Sequence, residues 1–284
     1  MELTRAAIEA QPEWLRAVRT DVRLPSGRAV HTGCGTSWHA AQTGGEAVQA
    51  LEAVLSPPAA DALVVVSHEG RTRLARDAVA AFDGPAWLVT GAPESPLAGM
   101  CEEVIVCTPR LEESSCHTAS YLCSIAQLAA LRGEDVSWLP DAVESALAAP
   151  RLEVSGHERW LVAGAGRDWP TAQEAGLTRR AGAHVAAEAH RTEELLHGYL
   201  AAVDSAVRCF VLEGEGRAAE RARDAVAALT ELGCRVELVP TRHPAVDVVQ
   251  FQLLTVELAR ARGVNPDVIR RDEEPWDRAR RAYE

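Results

Sequence analysis

Val30-His-Thr-Gly-Cys-Gly-Thr-Ser-Trp-His-Ala-Ala-Gln42 has a partner later in the chain, Leu161-Val-Ala-Gly-Ala-Gly-Arg-Asp-Trp-Pro-Thr-Ala-Gln173. Laid on one another, Gly33 falls on Gly164, Gly35 on Gly166, Trp38 on Trp169, Ala41 on Ala172 and Gln42 on Gln173. In each stretch a short apolar run ends in Gly-x-Gly and passes into helix-forming residues, the strand–turn–helix pattern of an α/β sheet. Further on, Ala75-Arg-Asp-Ala-Val-Ala-Ala81 recurs letter for letter as Ala222–Ala228. Alanine-rich helices match by chance, but two matches in the same order point to a chain built twice.

Working outward, Arg28–Cys34, Leu63–Val66, Ala86–Thr90 and Val104–Cys107 read as strands. Ser37–Leu55, Thr72–Phe82 and Ser115–Leu131 read as the helices between and after them. The second half repeats the alternation with strands at Trp160–Ala163, Cys209–Leu212 and Arg235–Val239. Its helices fall at Ala172–Ala187, Ala218–Leu232 and Val246–Arg262. Short Val-rich runs alternating with amphipathic helices predict parallel sheets covered on both faces. The expected fold is therefore α/β, with two tandem domains, each a parallel sheet flanked by helices. The break falls near 150, giving a first domain at 1–150 with an N-terminal helix and a second at 151–284 with a charged tail.

Composition excludes several functions. The chain has 284 residues, 29 basic against 41 acidic, and a formal charge of −12. An acidic surface does not suit general binding to nucleic acid or an anionic membrane, both of which need a basic face. All the basic residues are arginine, so no lysine can form an imine with a carbonyl substrate. The seven cysteines contain no C-x-x-C pair and mostly border apolar residues, as expected of reduced, buried thiols. Met1–Arg23 is charged throughout, unlike a signal peptide, and no run has the length of a membrane helix. A cytoplasmic protein is expected. The histidines, cysteines and carboxylates show no zinc spacing, and neither a metal nor another cofactor is expected.

In open α/β sheets ligands sit beyond the carboxyl ends of the strands. That puts Gly35-Thr36-Ser37 and Ser67-His68-Glu69-Gly70-Arg71-Thr72 in the expected pocket. Both loops combine glycine, hydroxyls and a helix start, which suits an oxyanion such as phosphate. A plain Ser N-cap would explain either loop alone; two on neighbouring strands favour an anion pocket. Glu69 opposes the anion unless Arg71 or Arg73 offsets it. A nicotinamide site is disfavoured, because the third glycine of the dinucleotide fingerprint is missing and no acidic residue ends the following strand.

These residues carry a resemblance. Cys34-Gly-Thr-Ser37, Ser67-x-x-Gly70-x-Thr72 and the double arrangement look like the sugar isomerase (SIS) family, in its two-domain form. Ile8-Glu-Ala-Gln-Pro12 resembles the family's Glu-Gln-Pro element. Glu188–Leu200, with His197-Gly198, resembles the segment ending in its His-Gly signature, and Gly263-Val-Asn-Pro-Asp267 its C-terminal segment. The resemblance implies flavodoxin-like domains, a sugar phosphate ligand and a homodimer. It implies that Ser37, Ser67 and Thr72 hold the phosphate, with Glu69 standing where the family has a serine. It makes His197 the ring-opening histidine, which commonly enters a neighbouring subunit's pocket, and places Glu174 at the start of the Glu-Gly-Ala-Leu-type helix.

Departures narrow the activity. The family's helical Lys and Glu fall on Thr178 and Ala181, and its imine-forming tail Lys has no counterpart. Glucosamine synthesis of that kind is excluded. The glutamine-hydrolysing domain of the aminating members is also not expected, because residue 1 begins at the linker-like helix. Aldose–ketose chemistry needs an acid–base group and a carbon base. His197 is the first candidate, and Glu194, three residues earlier, could share its helical face. Glu188 and Glu193 lie on the same segment, which could equally be a solvated surface. Ser115 and Thr118, at the start of the last helix of the first half, could meet the sugar or simply cap the helix. Cys116 and His117 are adjacent and therefore diverge on a helix. Three functions remain in view: a hexose or hexosamine 6-phosphate isomerase or deaminase, a phosphosugar-binding protein without catalysis, and more weakly a nucleotide-dependent oxidoreductase.

Overall fold

The computed structural model describes residues 1–283. In the first half come α1 (Glu2–Glu9), α2 (Gln11–Leu15), β1 (Ala29–Thr32), α3 (Thr36–Gln42), α4 (Ala50–Leu55), β2 (Ala62–Val66) and α5 (Arg73–Ala81). They are followed by β3 (Ala86–Thr90), β4 (Glu103–Val106), α6 (Ala119–Leu131) and α7 (Leu139–Ala148). The second half holds β5 (Arg159–Gly164), α8 (Trp169–Ala183), β6 (Ala186–Arg191), α9 (Thr192–Leu196) and β7 (Val207–Leu212). It ends with α10 (Arg217–Glu231), β8 (Arg235–Val239), α11 (Pro244–Arg262) and α12 (Glu274–Arg281).

The strands form two parallel four-stranded sheets, ordered β1-β2-β3-β4 and β6-β5-β7-β8. In the first half His31 also makes a parallel bridge to Ala47, so a rudimentary strand lies beside β1 where β6 lies beside β5. Both halves thus place the second chain segment outside the first strand, which is flavodoxin-like ordering. Residues such as Val64, Val65 and Phe210 are fully buried, as a sheet covered on both faces requires.

Two differences from the sequence reading have clear causes. The helix expected over Ser37–Leu55 is broken into α3 and α4, because Gly44 and Gly45 interrupt it and Glu46–Val48 pair with His31. The expected helix Ala172–Ala187 stops at Ala183, and Ala186–Arg191 forms edge strand β6. Ala187 is buried between exposed Ala186 and Glu188, which matches half-buried strand packing at an edge rather than a Val-rich run.

α11 joins the halves. Val248, Val249 and Leu253 belong to the core under the first sheet, while Phe251, Leu254 and Leu258 belong to that of the second. With apolar residues on opposite faces, α11 is buried against both halves. α3 and α8 also pack together, and Gln42 Nε2 donates to Gln173 Oε1 at 2.6 Å, joining two positions that coincide in the sequence overlay. No helix among the described residues is long and apolar enough to cross a membrane.

Candidate functional site

β1 and β2 are hydrogen-bonded neighbours, with Thr32 opposite Val65. The loops that leave their carboxyl ends, Gly33–Ser37 and Ser67–Thr72, therefore open side by side. The first is tight: a side chain on Gly33 would meet the Ser37 carbonyl at 2.7 Å. The second turns at Gly70, where φ is +62° and a Cβ would collide with Ser95 Oγ. Glycine is needed at both, and each loop hands its backbone to a helix start, α3 or α5. Glu69, Arg71 and Thr72 face solvent, while Ser67 and Gly70 are buried.

His68 is not a free ligand group, contrary to the sequence reading. Its Nε2 accepts the Glu112 N–H at 2.9 Å, and burial, helped by neighbouring His117, pushes its pKa down to about 3. It is a neutral pin that ties the second loop to the segment before α6. Thr118 is likewise engaged. The buried Glu112 carboxylate accepts from Thr118 N and Oγ1 at 2.8 and 2.9 Å, and from Ser120 N and Oγ at 2.8 and 2.6 Å. Glu112 thus occupies the positive end of α6, and the Thr118 hydroxyl is spent on it. Ser115 remains partly exposed, with its N–H donated to the Asp267 carbonyl at 2.8 Å.

Thr36 and Glu174 meet one another. Thr36 Oγ1 donates to Glu174 Oε1 at 3.0 Å, and His39 Nδ1 lies 2.7 Å from Oε2. Glu174 is fully buried. A carboxylate only accepts, so both α3 side chains are donors and the Thr36 hydroxyl proton is not available to an anion. Thr36, expected as an anion ligand, and Glu174, expected among the catalytic groups, are thus engaged with one another. On the next turn of α8, Thr178 Oγ1 donates back to the Glu174 carbonyl at 2.9 Å. Position 178 therefore presents no reactive group.

His197 and Glu194 are elsewhere. α9 packs on β5, β6 and α10, all in the second half. It ends at Leu196, and His197 leaves it with φ −110° and ψ 65°. The helical spacing that would align His197 with Glu194 is lost. His197 instead pairs with Glu193 at 2.8 Å on an exposed surface, and Glu193 is held from the other side by Arg221 at 2.8 Å. Glu194 faces Arg191. Within one chain these two residues do not join Glu174.

The tail is folded onto its own chain. Asp267 accepts from Thr4 N and Oγ1 at 2.9 and 2.7 Å, and Arg270 Nε donates to His184 Nδ1 at 3.0 Å. Gly182 of α8 lies so close to Cys116 and Pro266 that a Cβ there would approach each at 3.3 Å. The start of α6, the end of α8 and the tail thus converge. The sequence reading missed His39, because its partner lies 135 residues away. It also passed over Glu112 as a capping group, although an acidic residue ahead of a helix is a recognisable signal.

No family model matches the chain. A glutamine–fructose-6-phosphate aminotransferase (isomerizing) of Gloeobacter violaceus is 25% identical over 298 aligned positions, covering 82% of this chain and 49% of that protein. The chain thus spans about half the length of this curated relative. Among solved structures, the C-terminal domain of glucosamine-fructose-6-phosphate aminotransferase from Francisella tularensis superposes with a TM-score of 0.78 at 16% identity, covering 93% of this chain and 97% of that one. Glucosamine-6-phosphate deaminase from Thermotoga maritima gives 0.75 at 18% identity, covering 94% and 97%. Tagatose-6-phosphate ketose/aldose isomerase from Escherichia coli gives 0.75 at 17%, covering 93% and 95%. The chain has the fold of these phosphosugar enzymes.

Proposed function

We propose that this chain is a phosphosugar-binding protein of the sugar isomerase type, acting on a hexose or hexosamine 6-phosphate as isomerase or deaminase. The observation that carries the reading is the pair of glycine-turned, hydroxyl-bearing loops on adjacent strand tips. Ser37, Ser67 and Thr72, with the amides that follow Gly35 and Gly70, hold the phosphate; Arg71 offsets Glu69. The whole-length likeness to structures of sugar-phosphate enzymes supports the same ligand class.

With no lysine in the chain, the chemistry is acid–base rather than imine-forming. The ring opens, a base removes the proton at the carbon beside the carbonyl to leave an enediol, and the protonated base returns it to the neighbouring carbon. Glu174, buried behind the first loop, holds that loop in place; His197 and Glu194 take part only where a second copy of the chain brings them to the pocket. A homodimer is part of this proposal, checked by the mass in solution. A second reading, binding without turnover, is favoured by Thr178 and Ala181 in place of a reactive pair.

A thermal-shift panel of hexose and hexosamine 6-phosphates tests the ligand class, and no shift with any of them sinks it. Incubation of fructose 6-phosphate in heavy water then separates the readings. Deuterium entering at C1 or C2 supports the enzyme, and binding without exchange supports the second.

A further inference from the structure

The sugar site needs an imidazole or carboxyl beside the two loops, and most of the titratable groups near them are already committed. Both oxygens of Glu112 are taken by the start of α6. Those of Glu174 are taken by Thr36 and His39. His68 is locked to the Glu112 amide. His197 is exposed on the second half, paired with Glu193.

His117 is placed differently. It immediately precedes Thr118, the N-cap of α6, and its ring meets that of His68 edge-on at 5.3 Å. Because His68 belongs to the second phosphate loop, this contact sets His117 directly against that loop. Its Nδ1 is buried without a hydrogen-bond partner, 4.0 Å from Glu112 Oε2, while 22% of the side chain stays exposed. One edge of the ring is therefore fixed between loop and carboxylate, and Nε2 is the nitrogen left to meet a ligand. Ser115, two residues earlier, is partly exposed on the same segment.

Resting on the phosphosugar reading above, we infer that His117 is the acid–base residue, supplied from within the chain, that opens the sugar ring. Nε2 accepts the proton of the anomeric hydroxyl. The C1–O5 bond breaks, C1 becomes the carbonyl carbon, and the imidazolium returns its proton to O5. The proton is conserved, and no oxidant or reductant is consumed. With His68 Nε2 taken by the Glu112 amide, His117 is the imidazole of the pair that has a nitrogen left to meet a ligand.

Ring opening can be read without full turnover, as protein-accelerated exchange between the α and β anomers of glucose 6-phosphate, followed by phosphorus exchange NMR. Binding is measured in parallel by calorimetry with the same sugar. His117→Gln is expected to lose on the order of 100-fold of the acceleration, with affinity within about threefold of the parent. His117→Asn provides the same reading should the Gln variant fold poorly. Undiminished acceleration in these variants overturns the assignment, as does a loss that follows His197→Gln instead. Sugar binding by the parent with no acceleration also overturns it while leaving the phosphosugar reading intact. Absence of binding by the parent removes the phosphosugar reading itself.

Discussion

His68 carries the clearest pH consequence in the molecule. Its folded pKa is pushed down to about 3 from 6.5 by burial, so below pH 6.5 the unfolded chain binds a proton that the folded chain refuses. The sign follows from linkage: the contribution of this residue is fully present above pH 6.5 and is lost as pH falls toward 3, at a limiting slope of about 1.4 kcal/mol per pH unit. His68→Gln should therefore show a shallower loss of melting temperature between pH 7 and pH 4 than the parent. Parallel curves would mean that another group governs acid unfolding. The second residue to test is Glu69. It is exposed on the loop and close in sequence to Arg71, so its charge opposes an incoming dianion. Glu69→Ser should tighten glucose 6-phosphate binding about two- to fivefold at low salt, with the gain shrinking as salt is added. Weaker binding would show that the carboxylate contacts the ligand. The two loops were legible from Gly33, Gly35 and Gly70 because positive φ and close approach demand glycine. What each hydroxyl does was not legible: Thr36 and Thr118 are consumed by carboxylates, one of them 138 residues distant.

At the level of elements, α6 depends on a side chain outside it. Its first amides lie in the core between the sheet and α11, where water cannot serve them, and Glu112 accepts from Thr118, Ala119 and Ser120 at once. Glu112→Ala should cost about 3 kcal/mol or more, because it strands buried donors as well as removing a cap. Glu112→Gln retains an acceptor but loses the charge, and should fall between. Chemical unfolding measures both, and equal stability of all three proteins would show that the cap contributes nothing. Helices and buried strands were legible wherever period and composition agreed, as at Ala86–Thr90, where expectation and structure coincide. They failed where the sheet edge overrides local preference. Ala186–Arg191 has helix-forming composition, yet pairing with β5 satisfies its backbone and draws it into strand. The same override makes Glu46–Val48 extended beside His31.

At the scale of the whole molecule, the first anion loop is held by the second half of the chain. α3 begins at that loop, and Thr36 and His39, one turn apart on it, both donate to Glu174 of α8. The Gln42–Gln173 pair continues the seam one turn on. A carboxylate buried in this way gains its stability only from those donors, so removing it leaves buried His39 and half-buried Thr36 unpaired, while removing a donor leaves a charge unpaired. Glu174→Ala should therefore lower stability by about 3 kcal/mol and also weaken phosphosugar binding, although in this structure no part of Glu174 is exposed to the pocket. The second effect distinguishes a loop-positioning role from a purely structural one. Gln42→Ala, on the same seam but a turn farther from the loop, should cost stability with little change in affinity. Calorimetric titration with glucose 6-phosphate, at a temperature where all three proteins are folded, makes the comparison. Equal affinities across the set would mean that the loop keeps its shape without the second half, and that the seam only holds the two sheets together.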